Sequence, residues 1–363
     1  MFRKRDLDKK DRLFLILMVI LAWGIAWKWF GSSILPETMA YYYRDYSQGF
    51  VAGGFMGSVM RVLYLIMPIG LYEDTVYFWA KAALFLYLVM TIVFSSTIYM
   101  KTRDKNRTFA YILSIIAFLI LAPMFELSVN FAMPDMYMMI AFLLMLVCVL
   151  EDKFYFLLTP LSMVCVCISP LYCYRLLPIL LLVLFAREKT KRIGIVTAFV
   201  SLAFLIFSQY SIIIIDNNLV GNNIFAIERI DYLKGILGLI GYFILLIPII
   251  AIVHTFALSY MPSTKCRLGL LICFLLLLVD IVVKSNPGFF AYYGLIIVFV
   301  WLYFIVTSGG NICASNIDAL AQNVFWLNSK YNYFWCLYIY LFMPFRLHEV
   351  STVFVRFFMF FGK

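Results

Sequence analysis

Apolar runs long enough to cross a lipid bilayer recur along this chain, and no other feature constrains its fold as strongly. Runs of about 17 to 25 residues follow one another, as in LFLILMVILAWGIAWKWF at 13–30. A helix of about 20 residues spans a hydrocarbon layer roughly 30 Å thick. Backbone amides facing lipid find no water, so such runs must be helical. Composition agrees: charged residues are 13% of 363 and mean hydropathy is +0.97, whereas soluble domains carry roughly 25% charge. The expected fold is an all-α, polytopic transmembrane helical bundle. No linker, repeat or low-complexity stretch divides it, so 1–363 reads as a single integral-membrane domain.

The net charge of +10 does not point to nucleic acid. Its Lys and Arg residues sit in short segments between apolar runs, as orientation signals do, and no soluble module carries a basic stripe. The eight cysteines lie in or beside apolar runs without a CxxC pair, which reads as small buried hydrophobes. With only His254 and His348, a histidine metal cluster is nearly excluded. No GxxxxGK[ST], HExxH, GxSxG or CxxCH motif is present, which removes the commonest ATPase, metalloprotease, hydrolase and haem chemistries.

The basic segments MFRKRDLDKKDR (1–12), KTRDKNR (101–107) and AREKTKR (186–192) belong on the cytoplasmic side by the positive-inside rule. The N-terminus is then cytoplasmic, and the first apolar run is a retained span, because no small-residue cleavage site follows it. Crossings fall at 13–30, 76–99, 108–125, 136–150, 154–169, 171–185, 193–215, 235–259, 268–283 and 289–307. NYFWCLYIYLFMPF adds an eleventh, and the final VSTVFVRFFMFFGK is an interfacial helix or a twelfth. The expectation is about eleven spans, within 10–12. Outer loops fall at 31–75 and 216–234.

The first outer loop holds YYYRDYSQGFVAGGFMGSVMRV, with four glycines in nine residues (Gly49, Gly53, Gly54, Gly57). Glycine lets backbone approach a ligand or another helix closely. Val59, Val62, Leu63 and Ile66 recur at helical spacing with Arg61 off that face, the pattern of an amphipathic interfacial or re-entrant helix. Asp45 follows the first span beside Arg44. A carboxylate at a lipid–water boundary is suited to take a proton from a hydroxyl. The plainer alternative is an Arg44–Asp45 surface pair that keeps a loop in water.

This arrangement of a cytoplasmic start, a long outer loop with an acidic residue, amphipathic helices in that loop and ten or more spans resembles the GT-C superfamily of integral-membrane glycosyltransferases. The segment RDYSQGFVAGGFMGSVM is also similar to an Asp-Tyr…Gly-Phe-Val…Gly…Gly pattern in bacterial membrane proteins of surface-polysaccharide clusters. It departs from that pattern at Gly53, where an arginine is expected. The resemblance covers residues 12–75 and the overall topology, without the large soluble C-terminal domain of some GT-C enzymes. It implies a sugar donor carried on polyprenyl phosphate, with Asp45 as base.

Other polar residues fall near the outer ends of spans. Glu126 and Asp135, in MFELSVNFAMPDMY, are suited to an acceptor or a divalent cation, or to a plain loop. Arg175, in SPLYCYRLLP, matches a phosphate in bidentate geometry, or else snorkels at the head groups. Arg346 and His348, in PFRLHEV, gather on the outer side if the eleventh crossing holds. The expected function is a glycosyltransferase or polymerase of lipid-linked sugars at the outer face. In it Asp45 is the base, Arg61 and Arg175 hold the donor phosphate, and Glu126 and Asp135 lie near the acceptor. Expected partners are membrane lipid, polyprenyl-phosphate-linked sugar and other polysaccharide-assembly proteins. Two alternatives stand beside it: a flippase or transporter of such lipids, and an accessory protein without a catalytic site.

Overall fold

A computed structural model describes residues 8–29, 34, 36–46, 54–103, 110–111, 114–115, 117–118, 121, 131–170, 172–185, 188–215, 268–269 and 272. Among them every regular element is helical and none is a strand. The helices are α1 (Lys9–Trp29), α2 (Pro36–Tyr43), α3 (Gly54–Ile66), α4 (Tyr72–Thr102), α5 (Pro134–Leu150), α6 (Leu158–Ile168) after a 3₁₀ turn, the single turn α7 (Tyr172–Arg175), α8 (Leu177–Phe185) and α9 (Glu188–Ile215). These bounds follow the apolar runs at 13–30, 76–99, 136–150, 154–169, 171–185 and 193–215.

α4 is the spine. Its first turn carries Glu73 and Asp74 and its last turn Lys101, which complements the helix dipole. Asp74 also reaches back, its Oδ2 accepting the Leu71 N–H at 2.9 Å, half of a capping box. Among the described residues α4 is the one helix both long and apolar enough to cross a membrane. At 1.5 Å per residue its 31 residues extend about 45 Å. α1 and α5 pack on α4, α6 on α5, and α9 on α6.

Around the buried apolar core, large apolar side chains also lie on the outside of several helices, and small hydroxyl residues lie inside. Leu13, Ile20 and Trp23 on α1 and Phe199 on α9 are at least 60% exposed. Thr91, Ser95, Thr97, Thr102, Ser162, Thr197 and Ser201 are buried. The hydroxyls of Thr91, Thr97 and Thr102 bond the carbonyl four residues back in their own helix. Between α6 and α9, Ser162 and Ser201 hydroxyls lie 2.8 Å apart and those of Thr159 and Thr197 3.0 Å apart. Small polar residues bonding across closely packed helices are the usual glue of helical membrane proteins.

The two ends of α4 differ in chemistry. At its C-terminal end the buried Asp11 of α1 accepts from the Tyr99 hydroxyl and, at 2.6 Å, from Arg103. Lys101 reaches Glu151, just past α5, at 3.9 Å. Residues 8–12, 101–103 and 151–153, from segments assigned to one side in the sequence reading, thus meet at one end of α4. The opposite end holds α2 and α3.

Candidate functional site

Four backbone and side-chain links build the α2–α3 end. The Tyr46 N–H donates to Ser58 Oγ at 2.8 Å, and that hydroxyl donates to the Gly54 carbonyl at 2.8 Å. The Tyr72 hydroxyl donates to the Tyr42 carbonyl at 2.6 Å. The buried Tyr42 hydroxyl donates to the Ala132 carbonyl, just before α5. Helix α3 also packs on α4 and α6. Helices α2 and α3 are therefore seated against α4 and α6 rather than standing free.

The glycines serve that seat. A Cβ on Gly57 would lie 2.7 Å from the Tyr42 carbonyl oxygen and collide with that of Arg44, and one on Gly54 would lie 2.9 Å from the Tyr46 ring. At Gly57 the close approach is to backbone. It also sets which face of α3 is covered: Gly54, Met56, Gly57 and Met60 are buried, while Val62 and Ile66 are 53% and 75% exposed. Of the stripe read from the sequence, Val62 and Ile66 face outward while Val59 and Leu63 are half-buried, Leu63 against the core, and the glycine–methionine stripe is the fully packed one.

Seating α3 brings Arg61 onto Asp45. Arg61 donates from its guanidinium to Asp45 Oδ2, and the carboxylate side chain is 13% exposed while the arginine is 55% exposed. The partner that the sequence offered Asp45 was its neighbour Arg44. In the structure the Arg44 guanidinium stands 5.7 Å over the Tyr41 ring. A shielded carboxylate thus faces a guanidinium on a side chain that is more than half exposed. Such a fork suits an oxyanion with two or three oxygens.

Tyrosines surround the pair. Tyr43 donates to Glu73 Oε1 at 2.5 Å, and that hydrogen bond is the main reason its phenol is pushed above the ordinary range. Burial raises the phenols of Tyr42 and Tyr46. The Tyr64 and Tyr43 rings flank Tyr72, with centroids 5.7 and 5.8 Å away.

The remaining sequence-derived residues divide. Asp135 is in the first turn of α5, three residues beyond Ala132, and favours that helix end electrostatically. Arg175, in α7, is 3% exposed. Glu126, Arg346 and His348 lie outside the described residues, as do His254 and the loop 216–234. Among the described residues no group of three His, Cys, Asp or Glu is placed to hold a metal ion. Cys148, Cys165 and Cys173 are buried free thiols, as small apolar residues would be.

Sequence reasoning passed over three groups. Glu73 and Asp74 were hidden as the polar start of an apolar run, although GLYEDTVYF carries the acidic first turn that marks a helix start. Lys81, within the apolar run of α4, has its Nζ 4.1 Å from the Tyr77 ring centroid. Asp11 and Arg103 read only as orientation charges. The chain matches no family profile, no curated protein and no solved structure.

Proposed function

We propose that this chain is a multi-pass membrane protein of about eleven spans with a cytoplasmic N-terminus. In this reading it is a glycosyltransferase or polymerase that uses polyprenyl-phosphate-linked sugars at the extracytoplasmic face, in the assembly of surface polysaccharide or glycoconjugate. The single observation that carries the reading is the Asp45–Arg61 pair, a shielded carboxylate bound to an open guanidinium at one end of a membrane-length helix. The exposed apolar side chains of α1, α4 and α9 support the membrane assignment.

The chemistry follows from what each group can hold. Arg61 binds the donor phosphate, and a phosphate drawing on that guanidinium releases Asp45 from it. The freed carboxylate accepts the proton of the acceptor hydroxyl as its oxygen bonds to the anomeric carbon. The bond from that carbon to the phosphate oxygen breaks, and its electron pair leaves with the polyprenyl phosphate. Rate enhancement rests on positioning the two reactants and on the guanidinium meeting the negative charge as it develops. Asp135, tied to the same end through Ala132, lies on the acceptor side of this scheme.

Substitution in the native host tests it. Asp45→Asn and Arg61→Gln are expected to abolish a surface glycan, or to accumulate its lipid-linked precursor, at unchanged protein level. A normal glycan in both variants overturns the assignment of the pair. Lipid translocation without sugar transfer by the reconstituted protein would replace the transferase with a flippase. Sidedness is tested separately, by labelling a cysteine placed at exposed Leu65 with an impermeant reagent in intact cells.

A further inference from the structure

A wall of tyrosines joins the Asp45–Arg61 pair to a cleft that the proposed chemistry leaves unused. Helix α2 lines this open cleft with Pro36, Met39 and Tyr43, helix α4 lines it with Glu73, Asp74 and Tyr77, and its volume is about 470 Å³. Small-molecule sites occupy roughly 300–1,000 Å³. The Tyr43 ring stands 5.8 Å from that of Tyr72, with 38° between their planes. The Tyr72 hydroxyl donates to the Tyr42 carbonyl of α2 and lies 3.5 Å from the Gly57 carbonyl of α3. The charges of Asp45 and Arg61 both act on that same phenol. From the pair outward the order is therefore Asp45–Arg61, Tyr72, Tyr43, cleft.

Tyr43 is the ring this cleft offers to a ligand. It is 56% exposed, and its hydroxyl is tethered to Glu73, which fixes the ring without covering it. Tyr77 is engaged already, by the Lys81 ammonium over its ring and by Phe131 at 80° to it. An aromatic face is apolar and carries partial negative charge. The C–H face of a pyranose, apolar and slightly positive, is its complement. Pro36 and Met39 continue the apolar surface, and the carboxylates beside them accept hydrogen bonds from hydroxyl groups. A neutral sugar ring uses all of these surfaces, whereas a phosphate or an acidic sugar would set like charge against Glu73 and Asp74.

We infer that the cleft is the acceptor subsite and seats a neutral sugar ring stacked on Tyr43, with its reacting end directed past Tyr72 to the Asp45–Arg61 pair. The inference rests on the transferase reading of that pair and specifies the acceptor as a saccharide.

The experiment uses the full chain, purified in a detergent that contains no sugar. Saturation-transfer NMR reads binding of methyl glucoside, methyl galactoside, methyl rhamnoside and methyl N-acetylglucosaminide, with choline as a cationic comparison. At least one glycoside is expected to receive saturation, strongest on the protons of one ring face. Tyr43→Ala is expected to weaken that binding about fivefold, the scale of one aromatic stacking contact, while Tyr43→Phe leaves it nearly unchanged. A tyrosine that only latched α2 to Glu73 would lose as much in Tyr43→Phe as in Tyr43→Ala. Met39→Trp, which fills the cleft and leaves Tyr43 in place, should abolish the signal. Saturation of no glycoside, of choline alone, or equal binding by Tyr43→Ala and the wild type overturns the subsite. Tyr43-dependent glycoside binding in a protein whose Asp45→Asn variant still makes the glycan overturns the transferase reading and leaves a sugar-binding cleft. Loss of the glycan in Asp45→Asn without glycoside binding overturns the subsite alone.

Discussion

Gly57 of α3 lies so close to the backbone of Arg44 that a methyl group placed on it would overlap the arginine's carbonyl oxygen. The conflict is with backbone, which has no rotamer by which to yield, so α2 and α3 must part. Overpacking of this kind costs about 1–3 kcal/mol. Gly57→Ala is expected to lower the thermal midpoint in detergent and to loosen the Asp45–Arg61 pair. Gly24→Ala, whose added methyl meets nothing within 4 Å, is the control and should melt like the wild type. An unshifted Gly57→Ala melt would mean that the seat of α3 is wrong.

The same contact marks how much of the site was legible in the sequence. Glycine clustering signalled close approach, but not to what, because the approached carbonyls at 42 and 44 belong to a helix end that periodicity does not orient. Likewise helical spacing found α3 yet favoured its valine–isoleucine stripe. In a membrane an apolar stripe can face lipid as well as core, so hydrophobicity alone does not choose the packed face. Among the described residues the apolar runs matched the helix bounds well, since length and solvation leave little freedom there. Asp11, Arg103, Glu73 and Lys81 escaped, because a charge beside an apolar run looks the same whether it orients the chain or binds a partner.

Removing one member of the Asp11–Arg103 pair leaves a charge in a place built for two. The Asp11 side chain is 2% exposed and that of Arg103 14%. Breaking a buried pair from one side costs about 3–5 kcal/mol, whereas replacing both sides costs much less. Arg103→Leu is expected to destabilise strongly, and adding Asp11→Asn should recover part of the loss. A double-mutant cycle on thermal midpoints measures this coupling. Additive effects would show that the carboxylate is held by Tyr99 instead.

Hydroxyls that cross between helices should matter more than those that bond within one. Ser162 links to both Tyr172, at 2.9 Å, and Ser201, and interhelical bonds of this type contribute about 0.6–2 kcal/mol. Ser162→Ala is expected to lower the melting temperature by an amount matching that range. Thr97→Val, which deletes only a bond to Val93 in its own helix, should change it little. The order of the two effects is the test, and its reversal would argue against the α6–α9 seam.

Alkaline pH should loosen the seat of α2 through Tyr42. Burial holds its phenol well above the ordinary value, with Tyr137 and Tyr72 adding to the shift, and its neutral hydroxyl donates to Ala132. An unfolded tyrosine ionises near pH 10. Above that pH the folded state retains a proton that the unfolded state releases, so stability is fully present below about pH 10 and falls as pH rises toward the folded value. Tyr42→Phe is expected to cost about 1–3 kcal/mol at neutral pH, from the unsatisfied Ala132 carbonyl. It should also flatten part of the alkaline loss seen in the wild type. Thermal midpoints of both proteins between pH 8 and about 11 read the two effects together, and parallel curves would show that Tyr42 ionises no differently when folded.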